Sequence, residues 1–390
     1  MSGHCAPLEA EWSLIRAACS DLPRDQQAAR IHELAGPQIR WDALAGLAEH
    51  HGVQPIVAQA LWNVRDVPAE ALHTLKQNYQ SNLHKALFLS CELRRIVHCL
   101  SEAGIEFLPY KGPTLAETLY GDIALRQSGD IDLLIHAADL KRVRDAVAKL
   151  GYTPQVKLSE DEEDAYLKSG YECVFDGVLG KNLLEVQWAV QPRFYAVDLD
   201  MEGLFLRGRT AAVAGVGIEV KLLSAEDLFL LLAVHAAKHV WGKLIWICDL
   251  ARLSKLPTLD WNWISGTARR LGIERIVRIT LELAHTLLAF SIPPSIERRL
   301  SQDRAAGPLA EEIEGYLANR STYEVESLAY FRRMLELRER RIDRTRFITR
   351  LLFTPGPGEW AIARLPKALF PVYRAVRISR LAARVVVGRI

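Results

Sequence analysis

Apolar residues recur every three or four positions over residues 9–19, 41–51, 54–62 and 69–102, the spacing that gathers them on one face of a helix. Gly36-Pro37, Gly52 and Pro68 interrupt the pattern between these runs. Residues 1–103 thus read as a helical region, and nothing in it groups acids, bases or nucleophiles. A scaffold or cover is expected there. From Gly104 the pattern shortens. Runs at 105–108, 131–135, 152–156, 171–175 and 182–190 read as strands, the last two joined by a turn from Asp176-Gly177 to Gly180. Helices are expected at 113–120, with Pro113 in the first turn, and at 139–150, ended by Gly151. Ser159 and Glu162 have capping-box spacing for a short acidic helix. Residues 209–213 and 218–222, about Gly215-Val216-Gly217, predict a hairpin. Beyond the cap-like Ser224 the helical period returns at 229–240, 245–253, 261–271, 273–289 and 323–352, and Thr354-Pro-Gly-Pro-Gly358 breaks it. The expected fold class is α+β: a small mixed β-sheet core at 104–222, helical regions at 1–103 and 223–353, and a tail at 354–390.

Composition narrows the function classes. With 49% hydrophobic and 25% charged residues the chain resembles an ordinary globular protein, and a net charge of +2 gives the whole molecule no electrostatic commitment to nucleic acid. Six cysteines form no CxxC pair or zinc-like spacing, which predicts reduced, mostly buried thiols. The N-terminus lacks a basic segment followed by an apolar one, and no apolar run reaches about 18 residues, so a cytoplasmic location is expected. Charge is nonetheless uneven. Residues 361–390 contain Arg364, Lys367, Arg374, Arg377, Arg380, Arg384 and Arg389 and no acid. Arg374, Arg377, Arg380 and Arg384 share one side of a helix, with Val372, Val376, Val386 and Val387 on another. Such a helix either packs its apolar side on the body or meets an anionic membrane or an acidic partner.

Candidate chemistry concentrates between Leu108 and Ile135. Asp130 and Asp132 are two apart on a predicted strand, so both carboxylates leave the same face while Ile131 and Leu133 leave the other. Two like charges so placed repel unless a cation lies between them, which suits a divalent-metal clamp and hard Mg²⁺ in particular. Glu185, on a later strand, supplies a third carboxylate, enough to hold two metal ions for in-line displacement at phosphorus. The turn Lys111-Gly112-Pro113-Thr114 presents backbone N–H groups at a helix start, which suits phosphate, and Arg126 offers bidentate contacts. His235 and His239 share a helix face, with Asp249 about ten residues on. Without a HExxH glutamate they read as pocket or structural residues, and Trp241 and Trp246 as core or as a stacking surface.

In this combination the chain resembles the nucleotidyltransferases of the DNA polymerase β superfamily, most closely a bacterial group of uncharacterised nucleotidyltransferases. The likeness rests on Lys111-Gly112, Leu115-Ala116, Tyr120, Arg126, Asp130-Ile-Asp132-Leu-Leu134, Glu185-Val-Gln-Trp188, His239, Trp246 and Asp249. Two positions depart from it: Pro113 follows Gly112 where the superfamily has Gly or Ser, and Gln187 stands where the group has His. The resemblance implies that Asp130, Asp132 and Glu185 bind two Mg²⁺ ions, Glu185 also drawing the acceptor's proton. It implies donor contacts from Lys111, Gly112, Thr114 and Arg126, with His239 and Asp249 beside them. The donor would be an NTP, ATP or GTP first, and the acceptor a small molecule, peptide or protein, not nucleic acid. Transfer of a sugar or phosphoryl group, and a non-catalytic nucleotide-binding or antitoxin-like protein, stay open as alternatives.

Overall fold

The computed structural model describes residues 8–292, 296–297, 303–319, 327–362 and 365–386. Cys5, Arg364, Val387 and Arg389 lie outside these residues, as do the side chains of Arg384 and Val386. A five-stranded sheet runs β1 (Phe107–Pro109), β2 (Asp130–Ile135), β5 (Leu183–Gln187), β4 (Glu172–Asp176), β3 (Thr153–Pro154). β2 and β5 are parallel and the other neighbours antiparallel, so the sheet is mixed. The hairpin β6 (Arg209–Val213) and β7 (Ile218–Leu222) stands as a second, two-stranded sheet. Helices surround both, which makes the fold α+β.

Strand alternation sorts the residues of the larger sheet by face. Ile131, Leu133, Ile135, Phe175, Leu184 and Val186 enter one apolar core. There they meet Leu89, Leu93 and Ile96 of the helix Ala69–Glu102 and Val143 and Val147 of Leu140–Ala148. Asp130, Asp132, Glu185, Gln187 and Glu172 occupy the opposite face. The second core is helical and draws on both ends of the chain. Leu14, Ile15, Leu44 and Val57 pack with Phe229, Trp241, Ile247, Ile276 and Leu283 in one cluster. Backbone bonds from Asp21 N–H to the Leu288 carbonyl (2.7 Å) and from Ile245 N–H to the His51 carbonyl (3.1 Å) pin the two ends together.

Most expected elements recur with boundaries shifted by a few residues, and Glu9–Cys19, Ala69–Glu102 and both hairpin strands match fully. The Ser159–Glu162 capping box and the Ser224 cap are both formed. An additional helix, Arg24–Leu34, buries only Ile31; its sequence is too polar to carry an apolar period. The expected helix over 323–352 is corrected: its described part divides into Leu328–Glu336 and Arg341–Phe353. Between them Arg338 turns into the core, donating to the Tyr195 carbonyl (2.5 Å) with its guanidinium 4.5 Å from the Tyr195 ring. That tertiary contact outweighs local helix propensity.

The basic tail forms the helix Tyr373–Val386, and part of its charge faces inward. Arg377 and Arg380 both pair with the buried carboxylate of Glu359, at 3.4 and 2.6 Å. Among the described residues no helix is long and apolar enough to cross a membrane. Replacing Glu359 leaves the buried Arg377 without its carboxylate. Glu359→Ala is expected to cost about 3 kcal/mol and to expose the helix Tyr373–Val386 to protease. Urea unfolding and limited proteolysis check this, and an unchanged midpoint with an intact tail contradicts it.

Candidate active site

The parallel pairing of β2 and β5 sets Asp132 directly beside Glu185. Asp130 lies two residues earlier on the same face of β2, so three carboxylates crowd onto neighbouring strands. On β4, Glu172 stands opposite Gln187 and adds a fourth. Gln187 ties this group together: its side-chain amide donates to Glu185 Oε2 (3.1 Å) and Glu172 Oε2 (3.3 Å), and its oxygen accepts from the Tyr110 hydroxyl (2.6 Å).

Lys111, just before the helix Gly112–Tyr120, places Nζ 3.0 Å from Asp132 Oδ1. Gly112 makes this approach feasible. Its φ is +60°, and a β-carbon there would meet the Asp130 carbonyl oxygen at 3.0 Å. Thr114 is buried, and its hydroxyl has no hydrogen-bond partner. Neither Gly112 nor Thr114 lines the cleft itself.

That cleft, of about 570 Å³, lies between the polar face of the sheet and the helical body. Asp130, Asp132, Glu172 and Glu185 form one side of its chemistry, and Lys85, Lys111, Lys238 and Lys243 supply the opposite charge. His235, His239 and Trp246 complete the helical wall, with the Trp246 ring centroid 5.3 Å from each histidine ring. The backbone reverses just past His239, where Val240 and Trp241 both take positive φ (50° and 48°). Non-glycine residues adopt that conformation at a cost. Burial of Trp241, whose indole N–H donates to Thr280 Oγ1 (3.0 Å), holds it.

Arg126 and Asp249 meet each other. Arg126 Nε is 3.0 Å from both Asp249 oxygens and Nη2 is 2.9 Å from Oδ2, a buried bidentate pair. The Tyr120 hydroxyl also donates to Asp249 Oδ1 (2.8 Å), and Arg126 Nη1 donates to Ser128 Oγ (3.1 Å). Together they lock the segment leading into β2 onto the helix Leu244–Leu253. Arg126 still borders the cleft, while Asp249 is held behind it.

Electrostatics reflects the crowding. Burial, followed by the charges of Asp132, Glu172 and Asp130, pushes Glu185 up to about 8. Burial and Asp132 likewise raise Asp130. Burial by itself would lower Lys111, but Asp132 and Tyr110 carry it above its ordinary value. His239 is pushed down to about 3 by burial and by Lys238, Lys111 and Lys243, which keeps its ring neutral. Lys238 is lowered, chiefly by burial.

Among the described residues no three His, Cys, Asp or Glu side chains already converge on one ion position. The donor chemistry nonetheless fits a hard divalent cation. Asp132 Oδ2 is buried and accepts no hydrogen bond, and its neighbours Asp130 and Glu185 are held above their normal range by burial and then by mutual repulsion. An all-oxygen set under such repulsion is what Mg²⁺ relieves.

A family model described as uncharacterised nucleotidyltransferase matches residues 37–289. The chain belongs to this family. Every cleft residue named above falls inside the match, and neither a curated protein nor a solved structure matches the chain. The enzyme is therefore a nucleotidyltransferase, and its cleft is where nucleotidyl transfer is to be sought. Reading by sequence missed several of this transferase's cleft residues, Glu172, Lys85, Lys238 and Lys243 among them. Glu172 lies on a strand the sequence predicts, but its place beside Glu185 depends on register, while Lys85 and Lys238 come from helices and Lys243 from the residue before one, whose approach no local pattern encodes.

The raised Glu185 predicts a pH signature. Its carboxyl ionises at about 8 when folded and near 4.5 when unfolded, so the unfolded chain releases the proton first. Metal-free protein therefore loses stability as pH rises from 4.5 through about 8. Glu185→Gln removes this loss: it is expected to melt higher than the parent at pH 9 relative to their difference at pH 5. Equal differences at both values contradict the assignment.

Proposed function

We propose that this cleft transfers a nucleoside monophosphate from an NTP, ATP or GTP first, to a hydroxyl of a small-molecule, peptide or protein acceptor, releasing pyrophosphate. The observation that carries the reading is the register of β2 and β5, which sets Asp130 and Asp132 beside Glu185 in a cleft that four lysines also line, Lys111 paired directly with Asp132. Asp130, Asp132 and Glu185 would hold two Mg²⁺ ions, which when bound supply charge neutralisation at the reacting phosphate and a more acidic acceptor hydroxyl.

The chain's own residues account for the rest. Lys85, Lys111, Lys238 and Lys243 attract and orient the triphosphate as point charges, and Arg126 borders the same space. Asp249 and Tyr120 position Arg126 instead of touching substrate. Glu185 accepts the proton of the acceptor hydroxyl while that oxygen bonds to the α-phosphorus and the bond from α-phosphorus to the β-phosphate oxygen breaks. Glu185 would be ionised once bound cations offset the burial and like charges that raise it, and its carboxylate then takes that proton. Gln187 keeps it aimed through its side-chain amide. His239 and Trp246 offer a neutral wall for the base or sugar.

Label from α-³²P NTPs, followed into an acceptor pool from a cell extract with Mg²⁺ added, tests the reading. Asp130→Asn or Asp132→Asn is expected to lower transfer by about 10²–10³-fold or more. Transfer that persists at the parental rate in either variant, or without divalent metal, overturns it.

A further inference from the structure

The charge of the molecule is divided along its length. Residues 328–390 carry 15 Lys and Arg against 4 Asp and Glu, while residues 1–327 carry 34 against 43. A nearly neutral total thus conceals a basic C-terminal part on an acidic body. Exposed apolar side chains follow the same division: eight of the thirteen large ones among the described residues fall at or beyond Leu328.

These features meet on two packed helices. Arg341–Phe353 and Tyr373–Val386 lie against each other, joined by Arg377 Nε donating to the Leu351 carbonyl (2.5 Å). Because Arg377 and Arg380 are consumed inward by Glu359, the outward charge comes from other residues. Arg341 and Arg374 are exposed and have no carboxylate partner among the described residues. Ile342, Ile348 and Phe353 stand out from the first helix and Ile378 from the second, with Leu369 and Val372 in the approach to it. Phe353, Phe370 and Arg374 line one open groove of about 580 Å³ where the two helices adjoin, together with Asp161 and Asp164, whose charge Lys367 offsets, so apolar and cationic groups share this groove.

We propose that this face lies on a membrane surface rich in anionic phospholipid headgroups, Arg341 and Arg374 contacting phosphates while Ile348, Phe353 and Ile378 enter the interfacial layer. Charge complementarity names the partner: a cationic face attracts an anionic bilayer, and the acidic remainder is repelled from it, which sets orientation as well as binding. Nucleic acid would share the electrostatics, but Ile342, Ile348, Leu369, Val372 and Ile378 provide no stacking surface for bases and do suit acyl chains, and Phe353 is the one aromatic ring among these exposed apolar side chains. Contact is peripheral, since no described helix has the length and apolarity to span a bilayer. The nucleotidyl-transfer cleft is built from other residues, so this surface stands or falls independently of that reading.

Sedimentation of the full chain with vesicles decides the matter. Vesicles of phosphatidylcholine containing about a third phosphatidylglycerol are compared with pure phosphatidylcholine at about 0.1 M salt. Binding to the mixed vesicles alone is expected. Arg341→Gln/Arg374→Gln should weaken it roughly twenty-five-fold, about fivefold per charge. Ile348→Ser/Phe353→Ser should weaken it about tenfold or more with every charge kept. Circular-dichroism melts of both variants, expected to match the parent because all four positions are exposed, exclude misfolding as the cause. Binding that ignores lipid charge, no binding to either vesicle, undiminished binding by both variants, or displacement of the protein from vesicles by equimolar duplex DNA or RNA overturns the proposal.

Discussion

Repulsion among the carboxylates of Asp130, Asp132 and Glu185 is the constraint around which the remaining architecture is arranged. The parallel pairing of β2 with β5 forces Asp132 and Glu185 together, and burial then denies them the solvent that would screen their charge. Each neighbouring feature answers that repulsion. Lys111 neutralises one oxygen of Asp132, Gln187 donates to Glu185 and Glu172, and protonation of Glu185 is favoured up to about 8. Such an arrangement is costly to a protein that binds nothing. It is economical for one that binds a divalent cation and a polyphosphate together.

Two cores make this possible. The sheet buries its apolar face beneath the long helix Ala69–Glu102, which leaves the opposite face free for polar groups. Helices from both ends of the chain then share the other core and supply the lysines and aromatic rings that face the carboxylates. The Arg126–Asp249 pair links the two halves through buried, bidentate geometry. Its position behind the cleft makes it a support for the strand that carries Asp130 and Asp132. An ion pair of that kind adds little net stability by itself and much definition, because either partner alone would be a stranded buried charge.

What the sequence disclosed follows the range of the interactions involved. The β6–β7 hairpin, the Ser159 cap and the same-face placement of Asp130 and Asp132 depend on neighbours a few residues apart, and all were legible. Glu185 was legible as a strand carboxylate, although its register against Asp132 was not. Arg126 illustrates the opposite case. Its residue type fits phosphate, yet a partner 123 positions away, invisible to any local pattern, takes most of its donors. Lys85, Lys238 and Lys243 were hidden for the same reason. The break at Arg338 was hidden because burial against Tyr195 reversed a local preference for helix.

Gln187 shows how one substitution can be read in two ways. In the sequence it stands only as a departure from the pattern of the resemblance, whereas its three hydrogen bonds make it the hinge of the carboxylate cluster. The central claim, that these carboxylates bind a nucleoside triphosphate through metal, is most directly tested by calorimetry. Each NTP is titrated with and without Mg²⁺ into the parent and into Asp130→Asn/Asp132→Asn. Binding that requires both the metal and the two aspartates is the predicted result, and equal binding by the double variant with or without Mg²⁺ would contradict it.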